Sequence, residues 1–368
     1  MRLRVGVLLG GRSGEHEVSV LSAGSILAAL DTSRFDIIPI GITGEGRWLL
    51  LKDLEAVKAR GRVEKGDGTH VYLAPEPMEG ALLGPGLREV AQVDVVFPVL
   101  HGTFGEDGTI QGLLEVAGVP YVGGGVLASS VGMDKAMMKV LFQAKGIPTV
   151  RFSTVPRRRW RQDPGGVCEE AEDLYGYPVF VKPANLGSSV GVTKAKNRED
   201  LEGALETAAL YDTKILVEEA VVAREVECGV LGNSHPEASI PGEIIPCREF
   251  YDYNAKYIDG RSELLIPAPL PPAVAQEVQE LSLAAFQAID CSGMARVDFF
   301  ITETKVLVNE INTIPGFTYI SAYPKMWEAS GVSYSQLLSR LVDLAMERHE
   351  ERASLVTSYR RQEPGGPL

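Results

Sequence analysis

Met294-Ala-Arg-Val-Asp-Phe-Phe-Ile-Thr-Glu-Thr-Lys-Val-Leu-Val-Asn-Glu-Ile-Asn-Thr-Ile-Pro-Gly316 decides how the rest of the chain is read. Two runs rich in β-branched and aromatic residues flank a polar turn at Thr302–Lys305, the signature of an antiparallel hairpin. A three-residue loop at Glu303–Lys305 would set Asp298 opposite Glu310 and Arg296 opposite Asn312. Side chains alternate along a strand, so all four would share one face. Two carboxylates facing each other across a ladder repel. A cation between them would remove that cost. An all-oxygen set of Asp, Glu and Asn suits Mg²⁺, a hard ion that keeps waters and phosphate oxygens in its shell. The plain alternative is an exposed polar face on an ordinary hairpin, and the hairpin alone does not choose.

Working outward, 368 residues suffice for two or three domains with a large core. A hydrophobic fraction of 45% and a charged fraction of 23% describe an ordinary globular protein. The net charge of −13 argues against nucleic-acid or membrane-surface partners, yet leaves room for an anion held by local lysines. Cys168, Cys228, Cys247 and Cys291 show no C-x-x-C spacing and read as reduced thiols of a cytoplasmic protein. The apolar run Val5–Leu9 is too short for a signal peptide, and no segment has the length of a membrane span. A soluble, cytoplasmic protein is expected.

From the amino terminus, Arg4–Leu9 reads as a buried strand, Glu17–Leu30 as a helix and Phe35–Ile42 as a strand, a β-α-β opening with a glycine-rich first turn. Gly10-Gly11-Arg12-Ser13-Gly14 is not G-x-G-x-x-G, which argues against a dinucleotide fingerprint. Glu15-His16-Glu17 occupies that turn, where acids suit an ammonium group or are simply solvated helix-start acids. Lys58–Pro85 reads as an insertion with a small hairpin at Thr69–Leu73. Val93–Leu100 is a strand running into His101 and a glycine-rich turn, so His101 is either a substrate contact or a structural hydrogen bonder. Ser129–Lys145 is expected as one helix, and Arg157–Arg161 as a solvated loop. Strand Tyr177–Pro183, loop Ala184–Ser189 and strand Val190–Val192 form a glycine-serine hairpin of the kind that lays N–H groups over phosphates, without the Gly-Lys of a P-loop. Strands at Lys214–Glu219 and Glu225–Leu231 follow. Pro246–Pro267 mixes aromatics and charges like a loop that orders over a ligand. Helices at Pro271–Ile289 and Ser335–Arg348 complete the pattern.

Taken together the motifs resemble the ATP-grasp superfamily and, within it, the D-alanine–D-alanine ligases. The resemblance rests on Gly10–Ser19, His101-Gly102 with Gly105-Glu106-Asp107-Gly108, Met133-Asp134-Lys135, and Lys182-Pro183 with Gly187–Gly191. It continues through Tyr251–Tyr257, Arg296-Val297-Asp298 and Asn309–Gly316. It implies an α/β, three-domain ATP-grasp architecture: a Rossmann-like domain (1–124), central (125–217) and C-terminal (218–350) ATP-grasp subdomains, and a tail (351–368). By resemblance Lys135, Lys182 and Lys256 contact phosphates, and Gly187, Ser189 and Val190 close over them. Glu218, Ala220 and Val221 line the adenine site and Glu225 the ribose. Asp298, Glu310 and Asn312 hold two Mg²⁺ or Mn²⁺ ions. Glu17 holds the first D-alanine ammonium with help from His101, and Ser188 and Tyr257 bond to Glu17. Arg296 and the Gly316 N–H stabilise the oxyanion, and Ser321 binds the second carboxylate. The implied reaction joins two D-alanine molecules through an acylphosphate made with ATP, for peptidoglycan, in a homodimer. Ligases that join D-alanine to D-lactate or D-serine, other ATP-grasp carboxylate–amine ligases, and a non-catalytic nucleotide-binding regulator are the alternatives. Intact Lys135, Lys182, Asp298, Glu310 and Asn312 argue against the last.

Overall fold

Strand β1 (Leu3–Gly10) is buried from Val5 onward on both faces, as a central parallel strand must be. Helix α1 (His16–Ala29) returns the chain to β2 (Phe35–Ile42), which pairs parallel with β1 from Leu3↔Phe35 to Gly10↔Ile42. After β2 come β3 (Trp48–Leu51), α2 (Leu54–Arg60) and β4 (Gly68–His70), and then β5 (Tyr72–Leu73), β6 (Ala81–Leu83) and β7 (Glu89–Gln92). Next, β8 (Val95–Pro98) pairs parallel with β1, giving a sheet of order β4-β3-β2-β1-β8 and a separate sheet β5-β6-β7. The computed structural model describes residues 2–77, 80–245 and 263–356. The expected Thr69–Leu73 hairpin is therefore not formed. Val71 is fully buried, its N–H bonds the Trp48 carbonyl at 3.0 Å, and the residues on either side of it join different sheets.

Helices α3 (Thr109–Val116), α4 (Val126–Met133) and α5 (Lys135–Ala144) lead into the second region. The single helix expected over Ser129–Lys145 is split at Asp134, which is extended and caps α5 by accepting from the Ala136 and Met137 N–H groups. Then follow β9 (Phe152–Pro156), α6 (Arg157–Gln162), α7 (Pro164–Tyr175), β10 (Val179–Pro183), β11 (Thr193–Ala195), α8 (Arg198–Tyr211) and β12 (Lys214–Glu219). The sheet runs β11-β10-β12-β9, all antiparallel. The arginine-rich run is thus a short helix rather than a loop. Its Trp160 is buried in the core of this region, which the charge pattern concealed.

The third sheet is built from β13 (Arg224–Gly232), β14 (Glu237–Ala238), β15 (Gly242–Ile245), β16 (Glu263–Leu265), β17 (Gly293–Ile301) and β18 (Val306–Asn312), with α9 (Pro272–Ala288) preceding β17. Val278, Ala285 and Phe286 of α9 cover Val297, Phe299 and Val308. Past β18, α10 (Ala322–Ala329) and α11 (Tyr334–Ala353) turn back, and Leu337, Leu338, Leu341 and Val342 enter the same core as Val5, Val7 and Phe97. Arg348 rivets this return. Its guanidinium donates to the Tyr121 carbonyl at 2.8 Å, to Ser292 Oγ at 2.7 Å and to the Gly123 carbonyl.

The hairpin pairs Arg296 with Asn312 and Asp298 with Glu310, as expected, by a different route. Ile301 faces Val306, so the turn takes all of Thr302–Lys305, tied by Thr302 Oγ1 accepting from the Lys305 N–H at 2.9 Å. A bulge at Asn309 then restores the register. Two one-residue departures cancel, and the polar face survives.

Candidate active site

One cavity of about 1010 Å³ opens where the carboxyl end of β1, the glycine-serine loop and the polar face of β17–β18 converge. The turn after β1 is made by Gly10 and Gly11 at φ +90° and +102°, a region that favours glycine. His16 points inward. Its Nε2 accepts from the Val63 N–H at 3.0 Å, so Nδ1 carries the proton donated to the Gly11 carbonyl at 2.8 Å. That leaves Glu15 and Glu17 to face different ways. Ser13 Oγ accepts from the Glu15 N–H at 3.0 Å and donates to the His101 carbonyl at 2.7 Å, joining this turn to the one after β8.

The sequence reading had Ser188 bonded to Glu17, and here the structure corrects it. Ser188 Oγ donates to Glu15 Oε1. Glu15 is the N-cap residue, whereas Glu17 lies in the first turn of α1, exposed at the cavity wall. Two residues of helix rotate a side chain by roughly 200°, so both acids cannot reach the same loop. Two glycines make room for the Glu15 carboxylate. A Cβ on Gly102 would lie 2.5 Å from its Oε2 and one on Gly187 3.0 Å away. Across the same space Glu106, half-buried and unassigned by the sequence reading, accepts from the Gly102 N–H at 2.6 Å. Burial, and then the nearby Glu15, push its carboxyl up to about 8. His101 is buried, with Nε2 3.1 Å from Ser22 Oγ. Burial holds its imidazole below the ordinary range, against the pull of Glu15 and a hydrogen bond with the Ile314 backbone. The glycine-rich turn quoted around Glu106 was its only sequence signal.

On the hairpin face, Arg296 Nε and Nη2 each meet Asp298 at 2.7 Å, and Asn312 Nδ2 donates to Asp298 at 3.0 Å. Glu227 of β13 sits directly opposite Asp298 on its other flank and approaches Arg296 Nε to 3.3 Å. Glu227, Asp298 and Glu310 therefore form a row of carboxylates across three neighbouring strands. Asp298, Glu227 and Glu310 outweigh burial and hold the guanidinium well above its usual range, so Arg296 stays charged. Among the described residues no group of three His, Cys, Asp or Glu side chains is close enough to hold a metal by itself. Asp298, Glu310 and Asn312 supply hard oxygen donors facing the cavity, a set that fits Mg²⁺ when phosphate oxygens complete the shell.

Towards the central sheet, Lys135 Nζ donates to the Leu186 carbonyl at 2.9 Å and lies 3.4 Å from Glu310. Lys182 Nζ meets Glu218 at 2.6 Å, and Lys139, fully buried, meets the other oxygen of that carboxylate at 3.2 Å. In the loop, Ser188 and Ser189 adopt φ of +52° and +57°, strain of about 1 kcal/mol or more each that is typical of a ligand clamp. Gly187, Ser189, Ala220, Val221 and Glu225 line the cavity, as do Gly316 and Ser321. Val190 does not, and its N–H turns back to the Gly187 carbonyl at 3.2 Å. Ser321 Oγ is 2.8 Å from Thr318 Oγ1 and caps its own loop by accepting from the Thr318 N–H at 3.0 Å. Lys256 and Tyr257 lie outside the described residues, as does most of Pro246–Pro267.

Two family models match the chain, D-ala D-ala ligase N-terminus over residues 4–124 and D-ala D-ala ligase C-terminus over residues 141–343. The chain is 49% identical to the D-alanine–D-alanine ligase of Natranaerobius thermophilus over 97% of its own length and 99% of that protein. It is 51% identical to that of Heliobacterium modesticaldum, over 96% and 97%. Among solved structures it is similar to the D-alanine–D-alanine ligase from Coxiella burnetii (TM-score 0.85, 41% identity, 96% of each chain). It is also similar to a D-Ala:D-Ser ligase from Enterococcus faecalis (TM-score 0.85, 36% identity, 94% of this chain and 100% of that one).

Proposed function

The chain belongs to the D-alanine–D-alanine ligase family and has its ATP-grasp fold, and from that premise we propose how its own residues divide the work. The reaction is ATP-dependent ligation of two D-alanine molecules to D-alanyl-D-alanine, the dipeptide of peptidoglycan, through an acylphosphate. The observation that carries the assignment to this cavity is the bond from Ser188 to Glu15. It joins the phosphate-clamp loop to the turn of the first sheet across the space faced by Arg296 and Glu310.

Glu15, in the role first expected of Glu17, binds the ammonium of the first D-alanine, with neutral His101 beside it. Its carboxylate then faces the γ-phosphate. Lys135 and Lys182 hold the phosphates, Gly187 and Ser189 lay the loop across them, and Glu218, Ala220, Val221 and Glu225 receive adenosine. Divalent ions, which we take to be two Mg²⁺ (or Mn²⁺) held by Asp298, Glu310 and Asn312, would offset the charge of the migrating phosphoryl group. The first carboxylate oxygen bonds to the γ-phosphorus as ADP leaves. The amine of the second D-alanine, its carboxylate near Ser321, attacks the acyl carbon, and inorganic phosphate departs. Arg296 and the Gly316 N–H face the oxyanion of that step, where a preorganised charge contributes most.

We divide the chain for this purpose into units 1–124, 125–217 and 218–350, and propose a cytoplasmic homodimer. No helix among the described residues is long and apolar enough to cross a membrane. Phosphate release with ATP alone, with D-alanine, and with D-alanine plus D-serine or D-lactate tests the assignment. Release that is independent of D-alanine would refute it.

A further inference from the structure

Lys139 has no part in the scheme above, yet it is an amine with none of its surface exposed. Helix α5 places it one turn after Lys135, on the same face. Lys135 reaches towards Glu310 and the Leu186 carbonyl, whereas the ion partner of Lys139 among the described residues is Glu218. Glu218 is itself almost fully buried on β12, and Lys182, diagonal to it across the β10–β12 ladder, takes its second oxygen. Stability alone does not account for a charge there. Replacing a buried ion pair by apolar side chains of similar size is often neutral or stabilising, and methionine has nearly the length of lysine.

The arrangement becomes intelligible once nucleotide enters. Once Lys182 is drawn from Glu218 to the phosphates, only Lys139 keeps Glu218 from being a lone buried carboxylate, which would cost several kcal/mol or force protonation. Lys139 cannot follow the phosphates, because it lies beneath the cavity floor. We propose that Lys139 is a positioning residue for the nucleotide base: it keeps Glu218 ionised and turned to the amino edge of adenine, so that the site rejects 6-oxopurines. A carboxylate accepts from the adenine amino group and repels the O6 of hypoxanthine, while a protonated Glu218 would donate to that O6. The direction of the Glu218 equilibrium agrees. Burial raises it, but Lys139 and Lys182 together outweigh burial and hold the carboxyl below its ordinary value. This inference rests on the reading of Glu218 as a base contact.

Calorimetric titration with ADP and with IDP, which differ at the 6-position, tests it without involving the chemical step. The unmodified protein should favour ADP. Lys139→Met should cut the ADP/IDP affinity ratio by about tenfold, the worth of one hydrogen bond to a charged group. Lys139→Arg should restore much of the ratio, and the KM for D-alanine should not move. If Lys139→Met alone is too unstable to titrate, Lys139→Gln, which keeps a hydrogen-bond donor beside Glu218 but no charge, carries the test. Its ADP/IDP ratio should fall as well, and an unmodified ratio in a folded Lys139→Gln protein overturns the role of Lys139. A Lys139→Met protein with the unmodified ratio, beside a Glu218→Gln protein that has lost it, overturns the role of Lys139. Equal affinity of the unmodified protein for ADP and IDP, unchanged in Glu218→Gln, overturns the base contact and this inference with it.

Discussion

Replacing Glu15 and Glu17 by glutamine, one at a time, separates the two acids that the sequence could not tell apart. Glu15 is enclosed. Ser188 donates to one of its oxygens, and Gly102 and Gly187 crowd the other so closely that a Cβ on either would come within 2.5 and 3.0 Å. At an effective dielectric constant of ~20, an ammonium ~4 Å from such a carboxylate gains about 4 kcal/mol, about three orders of magnitude in affinity. Glu17 is exposed at the cavity wall. At ~80 the same separation is worth about 1 kcal/mol, or roughly fivefold, and salt screens it further. Glu15→Gln should therefore lower kcat/KM for D-alanine about a hundredfold more than Glu17→Gln, with the KM for ATP little changed in either. Phosphate release at varied D-alanine, with circular dichroism to verify folding, measures this. A folded Glu17→Gln protein that loses as much as Glu15→Gln would restore the original assignment and refute the structural one.

Glu310→Gln removes a charge that faces both Asp298 and Lys135, so phosphate release should fall by several orders of magnitude while the fold persists. Near-normal turnover at saturating Mg²⁺ would reject the metal assignment. The Glu106 carboxyl is raised from 4.5 to about 8, so between those values the folded protein retains a proton that the unfolded chain has released. Stability contributed there is present at low pH and lost as pH rises towards 8, and Glu106→Gln should flatten that decline in Tm between pH 6 and pH 9. An unchanged slope counts against it. Arg348→Met strips the donor from the Tyr121 and Gly123 carbonyls and from Ser292, and should cost about 3 kcal/mol in urea unfolding. A loss below ~1 kcal/mol would mean that α11 is held by its apolar face alone. With D-alanine and D-lactate mixed, the Glu15 side chain in the cavity wall favours an incoming ammonium over a neutral hydroxyl, so dipeptide should dominate at pH 8. Predominant depsipeptide would show the second-substrate site to be misread.

Local patterns sufficed for much of this protein because the forces that set them are local. Strand β1 needs only an unbroken apolar run, and β2 begins and ends where its flanking polar residues, Arg34 and Thr43, fall. The polar face of the hairpin follows from a period of two, and a motif such as Lys182-Pro183 carries its meaning along the chain. What the sequence by itself could not decide depends on contacts between distant residues. Asn309 bulges, and a turn is lengthened by one residue to match, only because Val308 must reach the core under α9 while Glu310 must face the cavity. Trp160 made a helix of an arginine-rich run because a core waits beneath it. The choice of Glu15 over Glu17 rests on the angle at which α1 leaves its turn, pinned by His16 to Gly11 and Val63. Glu227 and Lys139 gained their importance through Arg296 and Glu218, which lie far from them in sequence, and Glu106 through the nearby Glu15. A carboxylate or an amine has no special chemistry until folding removes its water and sets another charge beside it, and only the tertiary structure does both.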